Sequence, residues 1–419
     1  MEWKAEKKRV EDSFLGPQRD NGRRAVLEEL RKIMADMLAD EDLKKFRKFQ
    51  NSLSESFFEM DLEVSLILLA VACREHIIFL GGTGVNKTGS MIYVSNEIRR
   101  TCTSNPVQVF QTCLHPYTQV SEILGPFDIR KLMHANPQLV RIPRIQLAHF
   151  PVIDEFFCAI SALLNTLLPI MNERRCFDPS LAYHDEETDF VPLVSLMAAS
   201  NERQPGHRKE LTAIVDRFAL IHEVRSVLEP WLGSASGGER SKQTRVATDA
   251  SGGRLDEGYD RKISGFLLKA WSIEYENALR TLAREKSRCK ENAKSACSLY
   301  PYIMEPRGSR SILGILGKVY ISLFDDHAWE SLANYENEGS ISRRIAHFLQ
   351  AVPGIDVSPR RVVKIAKLML CRRKLFSSDS PGLGTDFSVC RYMGKTDEER
   401  EVLARVVSNL ENPPKGSRA

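Results

Sequence analysis

Apolar positions along the chain fall into two kinds of pattern. Val26, Leu27, Leu30, Ile33, Met34, Met37 and Leu38 recur at three- and four-residue steps, which predicts an amphipathic helix from Arg24 to about Gln50. A second helix, richer in apolar residues, is predicted from about Ser56 to Cys73. Shorter runs follow. Ile77 to Leu80 is apolar and β-branched at its start and stops at Gly81-Gly82, which favours a buried strand over a helix segment. Phe150 to Ile153, ending at Asp154-Glu155, repeats this pattern, as does Leu193 to Ala199, ending at Ser200-Asn201. Helical stretches such as Phe156 to Asn172 lie between them. Strand, polar turn and helix in alternation predict an α/β fold with a parallel sheet and its site at the carboxyl edge.

The same pattern divides the chain. Residues 1–20 are charged and broken by Gly16 and Pro17, and read as a flexible N-terminal arm. Residues 21–232 carry the α/β core. Residues 233–261, dominated by Gly, Ser, Asp, Lys and Arg, read as a flexible linker or insertion. A helical C-terminal region spans 262–411. It opens with a long charged helix from Ile263 to Lys294, and residues 311–375 are mostly helical with a break at Pro353-Gly354. Residues 412–419 form a tail.

Composition narrows the classes. Apolar residues make up 42% and charged residues 27% of the 419, as in ordinary globular proteins. The net charge of +4 is too small a bias to point to nucleic acid or an acidic membrane. No apolar run reaches the length of a membrane span, and no apolar stretch follows the charged N-terminus, so neither a membrane span nor a signal peptide is expected. Nine scattered cysteines without a C-x-x-C pair read as reduced thiols, and a cytoplasmic location is expected. The histidines show no metal-ligand spacing, which argues against structural zinc.

Three turns carry the candidate chemistry. Gly81-Gly82-Thr83-Gly84-Val85-Asn86-Lys87-Thr88 follows the first predicted strand. Glycines allow backbone N–H groups to surround a phosphate, Lys87 would reach the β- and γ-phosphates of ATP, and the Thr88 hydroxyl would sit on Mg2+. The helix starting near Lys87 adds its positive end. Asn86 stands where the G-x-x-x-x-G-K-[ST] motif has glycine, and asparagine tolerates left-handed backbone. Asp154 would order Mg2+ and Glu155 would polarise the attacking water, although an acidic pair after a strand also serves as a helix cap. Pro151 inside that strand forfeits a ladder hydrogen bond. Asn201 could position the water or cap a helix. Arg217 and Arg360 are either ordinary ion-paired arginines or charges that offset a developing phosphoryl group between subunits.

With those residues in place, the chain resembles the MoxR group of AAA+ ATPases, and within it the RavA-like regulatory ATPases, over roughly residues 20–230 and 340–375. The resemblance also rests on Tyr117 to Pro126, Leu164-Asn165-Thr166-Leu167-Leu168, Asn172-Glu173-Arg174, Ala198 to Glu202, Asp216-Arg217-Phe218 and Val357-Ser358-Pro359-Arg360-Arg361. It implies a three-layer αβα P-loop core with a small helical lid. It also implies a phosphate loop at Gly81 to Thr88, Asn201 as sensor 1, Arg217 as arginine finger and Arg360 as sensor 2. A hexameric ring with ATP sites between subunits is implied, along with a remodelled protein substrate or a von Willebrand factor A domain partner. By the same comparison, Asp128 to Ile145 should carry a strand and an insertion. Two other functions stay open. One is a nucleotide-binding switch with weak hydrolysis, suggested by Asn86 and Pro151. The other is a DNA-dependent motor using the cations between Arg280 and Lys294, although the interspersed Glu285 and Glu291 look more like a solvated helix face.

Overall fold

The computed structural model describes residues 2–16, 21–35, 38–57, 60–102, 107–133, 139, 141–177, 189–201, 211–225, 257–291, 311–352, 358–378, 380 and 382–412. Helices α1 (Glu2–Leu15), α2 (Asn21–Ala35), α3 (Asp40–Ser54) and α4 (Asp61–Cys73) precede strand β1 (His76–Leu80). Next come α5 (Lys87–Thr101), β2 (Val109–Cys113), α6 (Val120–Leu124), α7 (Ile129–Leu132) and β3 (Phe150–Asp154). They are followed by α8 (Ser161–Glu173), β4 (Met197–Ser200), α9 (Thr212–Val215) and β5 (Phe218–Glu223). The helical region comprises α10 (Glu257–Glu291), α11 (Ile312–Ser322), α12 (Asp326–Ala333), α13 (Ile341–Ala351), α14 (Pro359–Leu375) and α15 (Asp397–Glu411).

The strands form one sheet in the order β2-β3-β4-β1-β5, with every pairing parallel. Alternate residues of β1 enter different cores. Ile77 and Phe79 pack in a cluster that includes α4, α5 and the helical region, whereas Ile78 and Leu80 pack with Leu163 and Leu167 of α8 and Ile214 of α9. The sheet is therefore covered on both faces, which is why β1 and β4 consist almost wholly of apolar and small residues. The expected three-layer α/β core is present, with a helical region packed on one face. Pro151 lies before the β3–β4 pairing begins at Val152, so it sits where a ladder tolerates proline.

Several expectations change in detail. The charged N-terminal residues expected to form a flexible arm make helix α1 over Glu2–Leu15, with Trp3, Val10 and Phe14 buried. Three buried apolar residues suffice because polar contacts to α10 supplement them: Tyr275 donates to Glu11 at 3.0 Å and Ser272 to Glu6 at 2.9 Å. The helix read from Arg24 to Gln50 is two helices, α2 and α3, and the next begins at Asp61 rather than Ser56. The apolar run at Leu193 becomes strand only from Met197, since the Leu193 carbonyl accepts from Arg74 at 3.0 Å and Arg174 at 3.1 Å instead of a ladder. Strands β2 and β5 were not expected as strands, and β2 lies at the sheet edge with a mixed burial pattern. Within Asp128–Ile145 the described residues hold α7 and a single bridge, Phe127 with Arg141, instead of the expected strand. Residues 257–261, expected in the linker, are the first turn of α10. The rest of that linker, the Pro353-Gly354 break and residues 413–419 of the tail lie outside the described residues.

His76 at the start of β1 ties three elements together. One ring nitrogen bonds the Met171 carbonyl of α8 at 2.9 Å and the other accepts from Leu196 N at 3.0 Å, an arrangement that suits the neutral ring. Burial, followed by the charge of Arg174, lowers its pKa to about 3. The unfolded chain therefore takes up a proton near pH 6.5 that the folded chain refuses, and stability falls as pH drops below that value. Over the pH 6.5–5 window, urea unfolding should show a slope approaching about 1.4 kcal/mol per pH unit from this group alone. A folded His76→Gln variant should lack that share, and identical slopes in the two proteins would refute the assignment.

Candidate functional site

The carboxyl ends of β1, β3 and β4 bring the three predicted turns to one edge of the sheet. At its centre Lys87, only 6% exposed, begins α5. Its ammonium donates to the carbonyls of Gly81 at 2.9 Å and Gly82 at 2.6 Å, and to Asn201 Oδ1 at 2.9 Å. The Asn201 amide in turn donates to Glu155 Oε1. Lys87, Asn201 and Glu155 thus form one hydrogen-bonded chain across three strand ends. Burial lowers the Lys87 pKa, while the nearby Asp154 and Glu155 carboxylates act to raise it. The Glu155 backbone is left-handed, with φ 48°, and its N–H is bound by Asp154 Oδ1 at 2.9 Å. A strained glutamate backbone between a strand and a short helical turn is a feature that clusters at functional sites. Thr88 and Asp154 supply two hard oxygen donors at this edge, and the described residues contain no cluster of three or more potential metal ligands.

The loop keeps a tight path despite Asn86. Gly81 has φ 139°, and a Cβ there would stand 2.4 Å from the Val224 carbonyl, so only glycine lets β1 turn into the loop beside β5. Asn86 adopts φ 57° and ψ 28°, the left-handed region that asparagine tolerates. Its side chain reaches over the first turn of α5, where a Cβ on Gly89 would lie 2.1 Å from Asn86 Oδ1. Asn86 and Gly89 are therefore sterically coupled, a pairing that the loop motif alone did not reveal.

Arg217 and Arg360 are not at this edge. Arg217 immediately precedes β5, whose Phe218 is in register with His76, the first residue of β1. A five-residue strand spans about 16 Å, so Arg217 and Lys87 stand at opposite ends of the sheet. Arg360, near the start of α14, is on the Arg217 side. That helix begins with Ser358 as N-cap and Pro359 in its first turn, which accounts for the Val-Ser-Pro-Arg-Arg sequence. Asp216 gathers this group. Its carboxylate lies 3.6 Å from Arg217, 3.5 Å from Arg360 and 2.8 Å from Lys395. The Arg217 Nε is buried without a hydrogen-bond partner among the described residues.

Sequence reasoning missed the surroundings of Asp216. A cavity of about 600 Å3 between the sheet, α10 and α14 is lined, among the described residues, by nine Lys and Arg side chains against three Glu. Lys364 and Lys367 of α14 are buried beneath it. Lys367 pairs with Glu75 at 2.5 Å and Glu274 at 3.0 Å. Burial lowers the Lys364 pKa to about 8 against the opposing charges of Glu75 and Asp216. Burial would raise Glu75, but Lys367 and Lys364 overcome it and hold the carboxyl at about 2. The signal in the sequence was two lysines three apart inside the apolar run Val362 to Leu370. Other residues that carried the resemblance serve the backbone. Thr118 accepts from His115 N at 2.8 Å, Glu122 caps Gln119 N at 2.8 Å, and Arg174 donates to the Arg74 carbonyl at 2.8 Å.

The coupling of Asn86 to Gly89 is testable. Gly89→Ala should lower the melting temperature in the native background, because the new methyl must displace the Asn86 side chain. In an Asn86→Gly background the same change should cost much less. Thermal unfolding of the four proteins measures the coupling; equal effects of Gly89→Ala in both backgrounds would show the two positions to be independent.

Residues 44–249 match a family model described as the MoxR domain in the MoxR-vWA-beta-propeller ternary systems. Two proteins of Methanocaldococcus jannaschii are similar. Uncharacterized protein MJ0079 is 28% identical over 295 residues, which cover 67% of this chain and 66% of that protein. Uncharacterized protein MJ0812 is 33% identical over 186 residues, which cover 43% of this chain and 44% of that protein. The chain thus spans just under two thirds of the first relative and under half of the second. The matched segment contains the whole five-stranded sheet and the hydrogen-bonded chain from Lys87 to Glu155. Over residues 44–249 the chain thus matches the MoxR domain of the AAA+ ATPases.

Proposed function

We propose that the chain binds and hydrolyses ATP at sites shared between neighbouring copies and couples hydrolysis to conformational work on a protein partner. The observation that carries this reading is the hydrogen-bonded chain of Lys87, Asn201 and Glu155 at one sheet edge, with Arg217 at the other. In this reading the amides from Gly82 to Lys87 and the start of α5 receive the phosphates, and Lys87 exchanges its carbonyl acceptors for the β- and γ-phosphate oxygens. Thr88 and Asp154 have the oxygen chemistry to hold Mg2+, which when bound would neutralise phosphate charge. Glu155 accepts a proton from the attacking water and Asn201 holds that carboxylate and the water in line.

Among the described residues, no guanidinium is hydrogen-bonded into the Lys87–Asn201–Glu155 chain at this edge. The same copy's Arg217 is about a strand length away, so in this reading Arg217 serves the site of a neighbouring copy. Arg360, next to Arg217, would approach the same phosphate from the neighbour's side. A head-to-tail ring, hexameric as the family resemblance implies, would repeat this contact. The description of the matching family places its MoxR domains in systems with von Willebrand factor A and β-propeller components, and a von Willebrand factor A domain protein is the partner we assign. The DNA-motor alternative loses support because three of the cations it invoked are engaged. Arg280 pairs with Glu276 at 2.7 Å, Lys286 pairs with Glu29 at 2.7 Å, and Arg284 lies over the Phe190 ring at 5.6 Å. No described helix is long and apolar enough to cross a membrane.

Turnover should fall to background in Glu155→Gln while ATP binding persists. Arg217→Ala should bind ATP as the native chain does and lose a factor of about 10³ or more in turnover. Mixing Arg217→Ala with Lys87→Ala should recover part of the activity, since mixed assemblies contain sites with both residues intact. Native turnover in Arg217→Ala would overturn the intersubunit site, and native turnover in Glu155→Gln would overturn the hydrolytic mechanism.

A further inference from the structure

The turn that carries Arg217 is gripped from the helical region. Lys364, on α14 and 6% exposed, donates its ammonium protons to the carbonyl of Asp216 at 2.7 Å and to that of Arg217 at 2.9 Å. These carbonyls lie between the end of α9 and the start of β5, beyond the hydrogen bonds of either element. A cation at a helix carboxyl end is favourable electrostatically. A buried ammonium is nevertheless a costly way to fill space, since an apolar side chain of similar shape often packs as stably. What a lysine supplies here, and methionine would not, is a directional hold on the backbone of two consecutive residues.

We propose that Lys364 is a positioning residue for Arg217, fixing the arginine's turn to α14 so that its guanidinium is presented to the neighbouring copy's phosphate site. The inference rests on the reading of Arg217 as a trans-acting arginine. The amides of residues 216 and 217 are held by α9, donating to the Thr212 and Ile214 carbonyls at 3.0 Å each, the β5 ladder follows from Phe218, and Lys364 holds the two carbonyls. Among the described residues, the Arg217 side chain has as its ion pair the 3.6 Å contact to Asp216. Its position is therefore set mainly through its backbone. Loosening the turn would displace the guanidinium by an ångström or more, and displacements of that size can cost up to about 100-fold in rate.

The test uses the assembled full-length chain with Lys364→Met, measured beside the native protein and Arg217→Ala. Nucleotide affinity and KM for ATP should stay within about twofold, while kcat falls by about 10- to 100-fold. A mixture of Lys364→Met with Lys87→Ala should regain activity, because the Lys87→Ala copies present an intact Arg217 turn to the intact phosphate loops of the Lys364→Met copies. A merely structural role for Lys364 within its own subunit would not be rescued in this way. If Lys364→Met does not fold, Lys364→Arg keeps the charge with altered reach and should show a smaller kcat loss with the same rescue. Native kcat in the folded variant, or a loss that Lys87→Ala does not rescue while it rescues Arg217→Ala, overturns the proposal. Native turnover in Arg217→Ala overturns the parent reading and this one with it.

Discussion

Strand β1 has no free surface. All five of its residues are buried, β4 and β5 pair with its two sides, and apolar clusters cover both faces. An element enclosed in this way can present polar chemistry only at its ends, because an unpaired polar side chain along its length would bear the full cost of desolvation. At the carboxyl end the Leu80 carbonyl is taken by Val224 N at 2.8 Å, and Gly81 turns away with no room for a side chain. At the amino end Glu75 and His76 are buried among α8, α10 and α14. The burial of one five-residue strand therefore divides the polar groups of the core into two sets about 16 Å apart.

The two sets differ in composition. At the carboxyl edge, among the described residues, Lys87 lies near the carboxylates of Asp154 and Glu155. At the amino edge cations outnumber carboxylates, and several are satisfied by carbonyl oxygens, which meet their hydrogen-bonding needs without cancelling their charge. Arg74 and Arg174 on Leu193 O and Lys364 on the Asp216–Arg217 turn are examples. In the proposed reading, a nucleotide's phosphates at the carboxyl edge would face the cation-rich amino edge of a second copy, the charge complementarity that heterologous, head-to-tail association uses.

What the sequence revealed follows the same physics. Buried strands β1, β3 and β4 are short apolar runs ending in chemistry-bearing residues, so both the strands and their terminal turns could be read, and their convergence follows from a parallel sheet. The edge strands were harder. Val109 to Cys113 includes Gln111, Thr112 and exposed positions because one side of β2 has no neighbour among the described strands, and that removes the uniform apolar signal. Helix α1 was hidden for a related reason, since its burial rests on three apolar residues and on hydrogen bonds from residues more than 200 positions away. Lys87, Asp154, Glu155 and Asn201 were recognisable by spacing from strand ends. Asp216, Lys364 and Lys367 have no such local motif. Their relation is set by the packing of α14 across the amino edge, which periodicity cannot encode.

That packing limits how the helical region can move. Helix α14 is joined to the sheet domain by Lys364 on the Arg217 turn and by Lys367 on Glu75, and the Cys73 thiol also lies against the Lys367 carbonyl. Small shifts of α14 would lengthen these bonds while leaving two ammonium groups buried, the arrangement in which a broken ion pair is most costly. Larger shifts would admit water and restore solvation. Close-packed interiors with buried charges therefore favour two discrete arrangements over a continuum. A displacement of α14 that keeps the Lys364 bonds would carry the Arg217 turn with it, because the lysine that belongs to the helix is the one that holds the turn.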